Sequence, residues 1–506
     1  MLAQPHRAHT QARRSWSVLS AALLATGVAC AYALTSSGHL QSADVLETWE
    51  VAVRLVAHGT VTVTSAVLPG GGAVIGAGGR HYAAHGIGMS LLFVPAVVAL
   101  RALGVSSGST VGGWGATAVD PVAATVLVVS AAGFARRLTD SASAGVTTGL
   151  VIGFGSLVWP YAHVTFDVLP TAALLVVGVS AIVRSGTTGL RSVVLSGAAI
   201  GAALLVRVDA GVVLPFALGY LVLGWWARPW PRVAIAVGAW AFPVVLALAG
   251  IAWFNLVRFG SVLDDGHRAD PQVAMSNHAL RGLYGLVASP GKGVLWYCPV
   301  AVLGAAGAVA LWHRSRPMVA LVVGPFLVSL AYHAVLANWS GDEAWGPRFL
   351  VPTLAPALLP IGMVLGRWRE LGRAARALVS VVVVAGAGAA AAGVGWDYLA
   401  VERANGGVGR RHYWSVSGSA LTVTARTAGR VMAGRAPYPD AAHGGVTPAP
   451  VPAVDVWWVA ARARHIHAHT ATTIALGLAV DVVLTIVAAV ALAAAGSARR
   501  TAGSQS

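Results

Sequence analysis

VAIAVGAWAFPVVLALAGIAWFNL, residues 233–256, carries no charged side chain and is long enough, at about 1.5 Å per residue, to cross the roughly 30 Å core of a bilayer. Inside hydrocarbon the backbone finds no water, so a crossing segment must satisfy its own N–H and C=O groups within a helix. Comparable runs recur near 15–35, 117–135, 143–161, 166–184, 192–209, 211–227, 293–312, 317–337, 349–366, 377–396 and 472–495. The whole chain is 57% hydrophobic and 10% charged, with a mean hydropathy of +0.72, which excludes a soluble globule. The expected fold class is therefore all-α: a polytopic transmembrane helical protein of about 12 spans, within a range of about 10–13.

Cytoplasmic loops collect Lys and Arg, so the arginines set the topology. Arg7, Arg13 and Arg14 precede the first run and place the N-terminus inside; that run lacks a persuasive signal-peptidase site and is expected to remain as an uncleaved anchor. Arg136–Arg137, Arg184 with Arg191, Arg228 with Arg232, Arg314 with Arg316, Arg367 through Arg376, and Arg499–Arg500 mark later cytoplasmic positions. Between Tyr82 and Arg137 parity allows one net crossing for two apolar stretches. The 86–104 stretch, opening with Gly86 and Gly88 and interrupted by Pro95, is expected to be re-entrant or to lie against the membrane. Both termini are then cytoplasmic. Residues 1–396 form a multi-span core with a large first extracytoplasmic loop, 36–85; residues 397–470 form an extracytoplasmic loop or flap; residues 471–506 hold the last span and a short cytoplasmic tail.

On this topology the chemistry-bearing side chains gather outside. They include Asp44, Glu47, Glu50, His81, His85, His163, Asp167, Arg207, Asp209, Asp264, Asp265, His267, Lys292, Asp342, Glu343 and Arg348. Ionisable groups near the hydrocarbon boundary are costly unless paired or functional, so a site there is the default expectation. Lys292 is the single lysine among 34 basic residues, which makes its compact ammonium a candidate for a specific role.

Four stretches resemble the bacterial GT-C membrane glycosyltransferases that use polyprenyl-phosphate sugars, particularly actinobacterial members related to family 39. They are Ser42-Ala43-Asp44 with the run to His58-Gly59; Tyr82 to Gly88 leading to Pro95; Arg258-Phe259-Gly260 with Ser289 to Tyr297; and Trp345 to Leu350. The resemblance implies a GT-C-like fold and an extracytoplasmic active site whose first loop carries the catalytic acid, a position that Asp44 matches. A carboxylate there would take the proton of an attacking acceptor hydroxyl. Paired acids are frequent in this loop of the family; here Val45 follows Asp44, and Glu47, one helical turn on, is the candidate second acid. Arg348 and Lys292 are expected to hold the donor phosphate, Arg as a fork and Lys as a point charge. His85, His163, Asp342 and Glu343 are candidate substrate contacts. The implied partners are a polyprenyl-phosphate sugar donor, an extracytoplasmic glycan, lipid or protein acceptor, and membrane lipids. No cofactor is assigned with certainty; a divalent cation and its ligands stay open.

Plainer readings accompany these. Asp44 could be only an N-cap completed by Glu47. Glu50 and Arg54 read as a helix-surface ion pair, and Asp264-Asp265-Gly266 as a turn. Asp342 and Glu343 could contact a metal or substrate, or pair with Arg348. His465, His467 and His469 would share a face only in a strand. Trp457 and Trp458 are expected at the membrane interface. The net charge of +16 is spread over many short loops, where it orients the chain and does not imply nucleic acid. Cys30 and Cys298 fall in apolar spans, so no disulfide framework is expected. Other functional classes compatible with these features are a transporter or lipid flippase, for which Asp481, Arg207 and Asp209 speak, and a glycan ligase or polymerase.

Overall fold

Small residues let the helices approach closely enough to pack without a hydrophobic driving force between them. At Gly145 a Cβ would stand 2.7 Å from the Ala132 carbonyl oxygen, and at Gly197 it would collide with that of Trp240. The computed structural model describes residues 5–64, 73–267, 270–342, 344–398, 412–433, 454–463, 465 and 467–502. These form an all-α polytopic membrane protein.

The helices are α1 (Pro5–Thr35), α2 (Ala43–His58), α3 (Ile87–Ala102), α4 (Thr110–Ala116), α5 (Val119–Thr139), α6 (Ala142–Gly155), α7 (Val158–His163), α8 (Val168–Thr188) and α9 (Leu190–Val206). After them come α10 (Leu214–Trp225), α11 (Trp230–Phe259), α12 (Ala279–Ala288), α13 (Val294–Tyr297), α14 (Ala301–Trp312), α15 (Arg316–Val335), α16 (Val351–Ala357), α17 (Ile361–Leu365) and α18 (Arg373–Ala392). Helices Ala420–Met432, Trp457–Ala463 and Ala468–Ala502 complete the described chain. Among the described residues eight helices are long and apolar enough to cross a membrane. The remaining expected spans are α9 and three broken runs, α6 with α7, α13 with α14, and α16 with α17.

The breaks have local causes. Pro299 and Pro360 cannot donate a helical hydrogen bond, and each opens a new helix. At Ser156 the hydroxyl donates to the Ile152 carbonyl at 2.5 Å and accepts from the Val158 amide at 3.2 Å, closing one helix and starting the next. The 86–104 stretch forms α3, a shorter apolar helix that is not among those eight. Gly88 in its first turn abuts the Val206 backbone at the end of α9, while Arg101 in its last turn donates to the Val56 carbonyl of α2 at 3.0 Å. Leu100 packs on Gly115 of α4, and Gly113 of α4 lies against the Gly38 backbone that follows α1. Both ends of α3 therefore sit at the same end of the bundle, with Leu91, Leu92 and Val98 exposed.

α8 is the most enclosed span, and the final helix lies on α1 at the periphery. At one end of this bundle the first loop folds into α2 and a short antiparallel ribbon, Val74–Ile75 with His81–Tyr82. Gly78 and Gly79 turn the ribbon at φ of 66° and 70°, a backbone conformation that other residues adopt only with strain.

Candidate functional site

A cavity of about 1100 Å³ opens at that end of the bundle, beneath α2 and the ribbon and between α9, α11 and α15. Its lower wall is apolar, with Leu204, Val212, Ile251 and Val328, and its upper wall is charged.

Asp44 reaches into it from the first turn of α2. Ser42 occupies the N-cap with no side-chain cap bond, so Asp44 is not the cap, and its carboxylate faces the cavity near the positive end of the helix dipole. Arg348 Nη1 stands 3.5 Å from one carboxylate oxygen and His85 Nε2 3.7 Å from the other. The Asp44 side chain keeps 42% of its surface exposed, so it is both paired and reachable. Burial works against its ionisation, but His85, Arg348 and Arg207 outweigh burial and hold the carboxyl well below the usual carboxylate range. Burial likewise opposes the charge of His85, and Asp44 overrides it, raising the imidazole above its ordinary value.

Behind Asp44 lies a clamped arginine. Arg207 leaves the end of α9, donates from Nε and Nη2 to Asp209 at 3.0 and 2.7 Å, and donates from Nη1 to both oxygens of Asp167 at 3.0 Å. Two carboxylates thus pair with the one guanidinium, Asp167 at 3.0 Å and Asp209 at 2.7 Å. The Phe349 ring sits between the two cations, 5.0 Å from the Arg348 guanidinium and 5.8 Å from that of Arg207, and stacks on His333 at 5.2 Å. Asp120, fully buried, accepts from the Phe166 amide at 2.8 Å and so fixes the turn that presents Asp167.

Arg258 forms the opposite wall. Its guanidinium donates to the Ala83 and His85 carbonyls, the latter at 3.2 Å, and to Asn255 at 2.9 Å, which sets the position of His85. Among the described residues no three His, Cys, Asp or Glu side chains converge as metal ligands.

No family model matches the sequence, and no curated protein is similar to it. Some solved structures superpose on it in part. ArnT from Cupriavidus metallidurans bound to undecaprenyl phosphate superposes with a TM-score of 0.49 at 16% identity, over 95% of this chain and 78% of that one. Its apo state gives 0.49 at 14% identity, over 95% and 77%. The archaeal oligosaccharyltransferase AglB from Archaeoglobus fulgidus, in complex with an inhibitory peptide and a dolichol-phosphate, gives 0.47 at 11% identity, over 80% of this chain and 61% of its own. The chemistry of the site rests on the residues of this chain.

Of the side chains singled out in the sequence, Asp44, His85, Asp342 and Arg348 line the cavity together. Glu47, Lys292 and His163 do not. Glu47, one turn further along α2, is 1% exposed and does not reach the cavity lining. Lys292 is equally buried, and its ammonium donates to the Asp342 and Ala344 carbonyls at 2.6 Å each, which ties down the loop that carries Asp342 and leads into Arg348. Glu343 lies outside the described residues. Asp342 holds φ at 54°, and its carboxylate accepts from Asn338 Nδ2 at 2.5 Å. Lys292→Met, which leaves two buried carbonyls without their charged donor, is expected to lower stability by about 3 kcal/mol. Thermal unfolding in detergent measures it, and an unchanged transition would rule out this tethering role.

His163 belongs to a different cluster. Its Nε2 lies 3.2 Å from Asp455, its Nδ1 2.6 Å from the Thr35 carbonyl, and the same fully buried carboxylate accepts from Gln41 Nε2 and pairs with His39 Nε2, both at 2.7 Å. Trp457 and Trp458 follow, their indole N–H groups donating to the Ala33 and Leu34 carbonyls at 2.8 and 3.1 Å. This fastens the far end of the 397–470 segment to the end of α1; residues 399–411, 434–453, 464 and 466 of that segment lie outside the described residues. His465 and His467 take positive φ of 56° and 46° and His469 is helical, so the three do not form the shared strand face. Burial raises the Asp455 pKa, but His39 and His163 prevail and hold it well below the usual range. A depressed carboxyl stabilises fully above its unfolded pKa of about 4 and loses that contribution as pH falls through the folded value. Asp455→Asn is therefore expected to destabilise by about 3–5 kcal/mol at pH 7, with the difference from wild type shrinking in acid. Unfolding transitions recorded between neutral and acidic pH check both the size and the sign.

Asp167, Asp209, Arg207 and Arg258 were visible in sequence only as loop or motif residues, and Asp120 and His333 gave no sign inside their apolar runs. The usable signal was an Arg-x-Asp spacing at the end of a span, Arg207 to Asp209.

Proposed function

We propose that this chain is an integral membrane glycosyltransferase of the GT-C type, moving one sugar from a polyprenyl-phosphate donor to a glycan, glycolipid or protein acceptor on the extracytoplasmic face. A reachable carboxylate 3.5 Å from a guanidinium, at the mouth of a cavity with an apolar lower wall, carries the reading. Base and phosphate receptor stand side by side, as transfer from a lipid phosphate requires. The arginine-rich loops at the opposite end of the bundle support the extracytoplasmic placement of the cavity.

In this reading the prenyl tail lies along the apolar wall and Arg348 takes the phosphate. The acceptor oxygen attacks the anomeric carbon, the bond from that carbon to the phosphate oxygen breaks, the hydroxyl proton passes to Asp44, and polyprenyl phosphate departs with its charge paired. Attack opposite the leaving group inverts the anomeric centre. A phosphate on Arg348 also withdraws part of the charge that holds Asp44 low, so the carboxylate becomes a stronger base when the donor is bound.

Transfer from a panel of radiolabelled polyprenyl-phosphate sugars to membrane extract, by purified protein in nanodiscs, tests this. Absence of transfer from every donor would overturn it. Arg348→Lys keeps the charge but loses the fork, and the donor KM is expected to rise about tenfold to a hundredfold with the fold intact, the loss of one charge-assisted hydrogen bond. A transporter or flippase is the second reading, favoured by Asp481, which is exposed within the final helix; lipid or solute flux in proteoliposomes without transfer would select it.

A further inference from the structure

The end of the bundle remote from the cavity holds a second pocket, of about 280 Å³, between α1, α5, α6 and α8. Arg136, Arg137 and Arg184 line it together with Ser20, Ser130 and Ser180. Asp167 immediately precedes α8 and Arg184 lies near its other end, so about 25 Å at 1.5 Å per residue separates pocket from cavity. That is close to one hydrocarbon thickness.

Three guanidiniums around one small volume repel each other, and among the described residues no carboxylate lines the pocket. Ser180 is 3% exposed and its hydroxyl has no hydrogen-bond partner; the Nε of Arg184 is also buried without one. Buried polar groups are rarely left so, because each unmet donor is destabilising. What is missing is an anion offering several acceptor oxygens. The rest of the lining is hydrocarbon, including Leu24, Val129, Val146 and Val177, and Val18 and Leu19 beside Ser20 on α1 are exposed.

We infer that this pocket binds the phosphate group of an anionic membrane lipid, in the leaflet opposite the cavity. The phosphate oxygens accept from Arg136, Arg137 and Arg184 and from the Ser180 hydroxyl, while the acyl region lies on the apolar wall. Inorganic phosphate shares the head-group chemistry but would leave that wall unfilled. The inference is independent of the glycosyl-transfer reading.

Thermal unfolding of the full chain in neutral detergent, with added phosphatidylglycerol, phosphatidylcholine or inorganic phosphate, tests it. Phosphatidylglycerol is expected to raise the unfolding temperature of wild type by several degrees and phosphatidylcholine to leave it unchanged, since a ligand that binds only the folded state stabilises it. The shift should vanish in Arg136→Gln/Arg184→Gln and persist in Arg191→Gln/Arg232→Gln, whose arginines are exposed at the same end. Gly133→Leu provides a second route: a Cβ there meets only the Arg137 guanidinium, at 3.7 and 3.8 Å, so the side chain occupies the pocket while all three arginines remain. Equal shifts in every variant would reduce the effect to diffuse surface charge and overturn the site, as would no shift in wild type. A full shift with inorganic phosphate alone would overturn the lipid and leave a soluble anion.

Discussion

Asp44→Asn is expected to lower transfer by about a thousandfold, within the 10²–10⁴ range typical of a positioned general base, while the protein remains folded. The two consequences separate because the Asp44 side chain is 42% exposed, and ion pairs of that kind contribute only about 0–1 kcal/mol. Donor affinity should hold or rise, since Arg348 is released from its carboxylate partner. The substitution also predicts a titration. Burial opposes the charge of His85, and Asp44 is the main group that overrides it. Without that carboxylate, the imidazole pKa should fall, which proton NMR of the histidine resonances can follow. Transfer equal to wild type would place the base elsewhere, and an unmoved His85 would show that the pair does not form.

Arg207→Met should lower stability by about 3–5 kcal/mol, because it leaves Asp167 and Asp209 facing each other at the cavity wall without the cation they share. Both carboxylates are only about a quarter exposed, so water compensates little. Activity should fall with stability, since Phe349, which packs between Arg207 and Arg348, loses one of its two cations. A double substitution, Arg207→Met with Asp209→Asn, should recover part of the stability by removing one orphaned charge. The interaction energy of that cycle, from unfolding transitions of the four proteins, measures the clamp directly. If Arg207→Met unfolds with wild type, the clamp has no structural role.

The legible part of the fold was the apolar run, since about 20 residues without charge dictate a helix in hydrocarbon wherever they occur. The run at 233–256 became α11, and the arginine parity that denied 86–104 a crossing agrees with an α3 whose two ends share one face. Breaks inside 143–161, 293–312 and 349–366 were hidden, because a hydropathy run does not reveal where a serine or proline interrupts the backbone ladder. At the site, Asp44, His85 and Arg348 could be singled out from their loops and then meet at 3.5 and 3.7 Å. Lys292 was equally conspicuous, yet its ammonium is spent on two carbonyls of a neighbouring loop.

By itself, then, the sequence determined that the chain is helical, that it crosses the bilayer many times, and that Asp44, His85 and Asp342 fall in loops distinct from its arginine clusters. These properties follow from local composition, which acts over one span at a time. Only the tertiary structure decided which charges meet: Asp44 with Arg348 across some 300 residues, Arg207 with Asp167, and His163 with Asp455 instead of the cavity. Such pairs form because helices of fixed length bring the ends of distant spans to one level of the membrane, where a charge leaving water must take whichever partner the packing supplies.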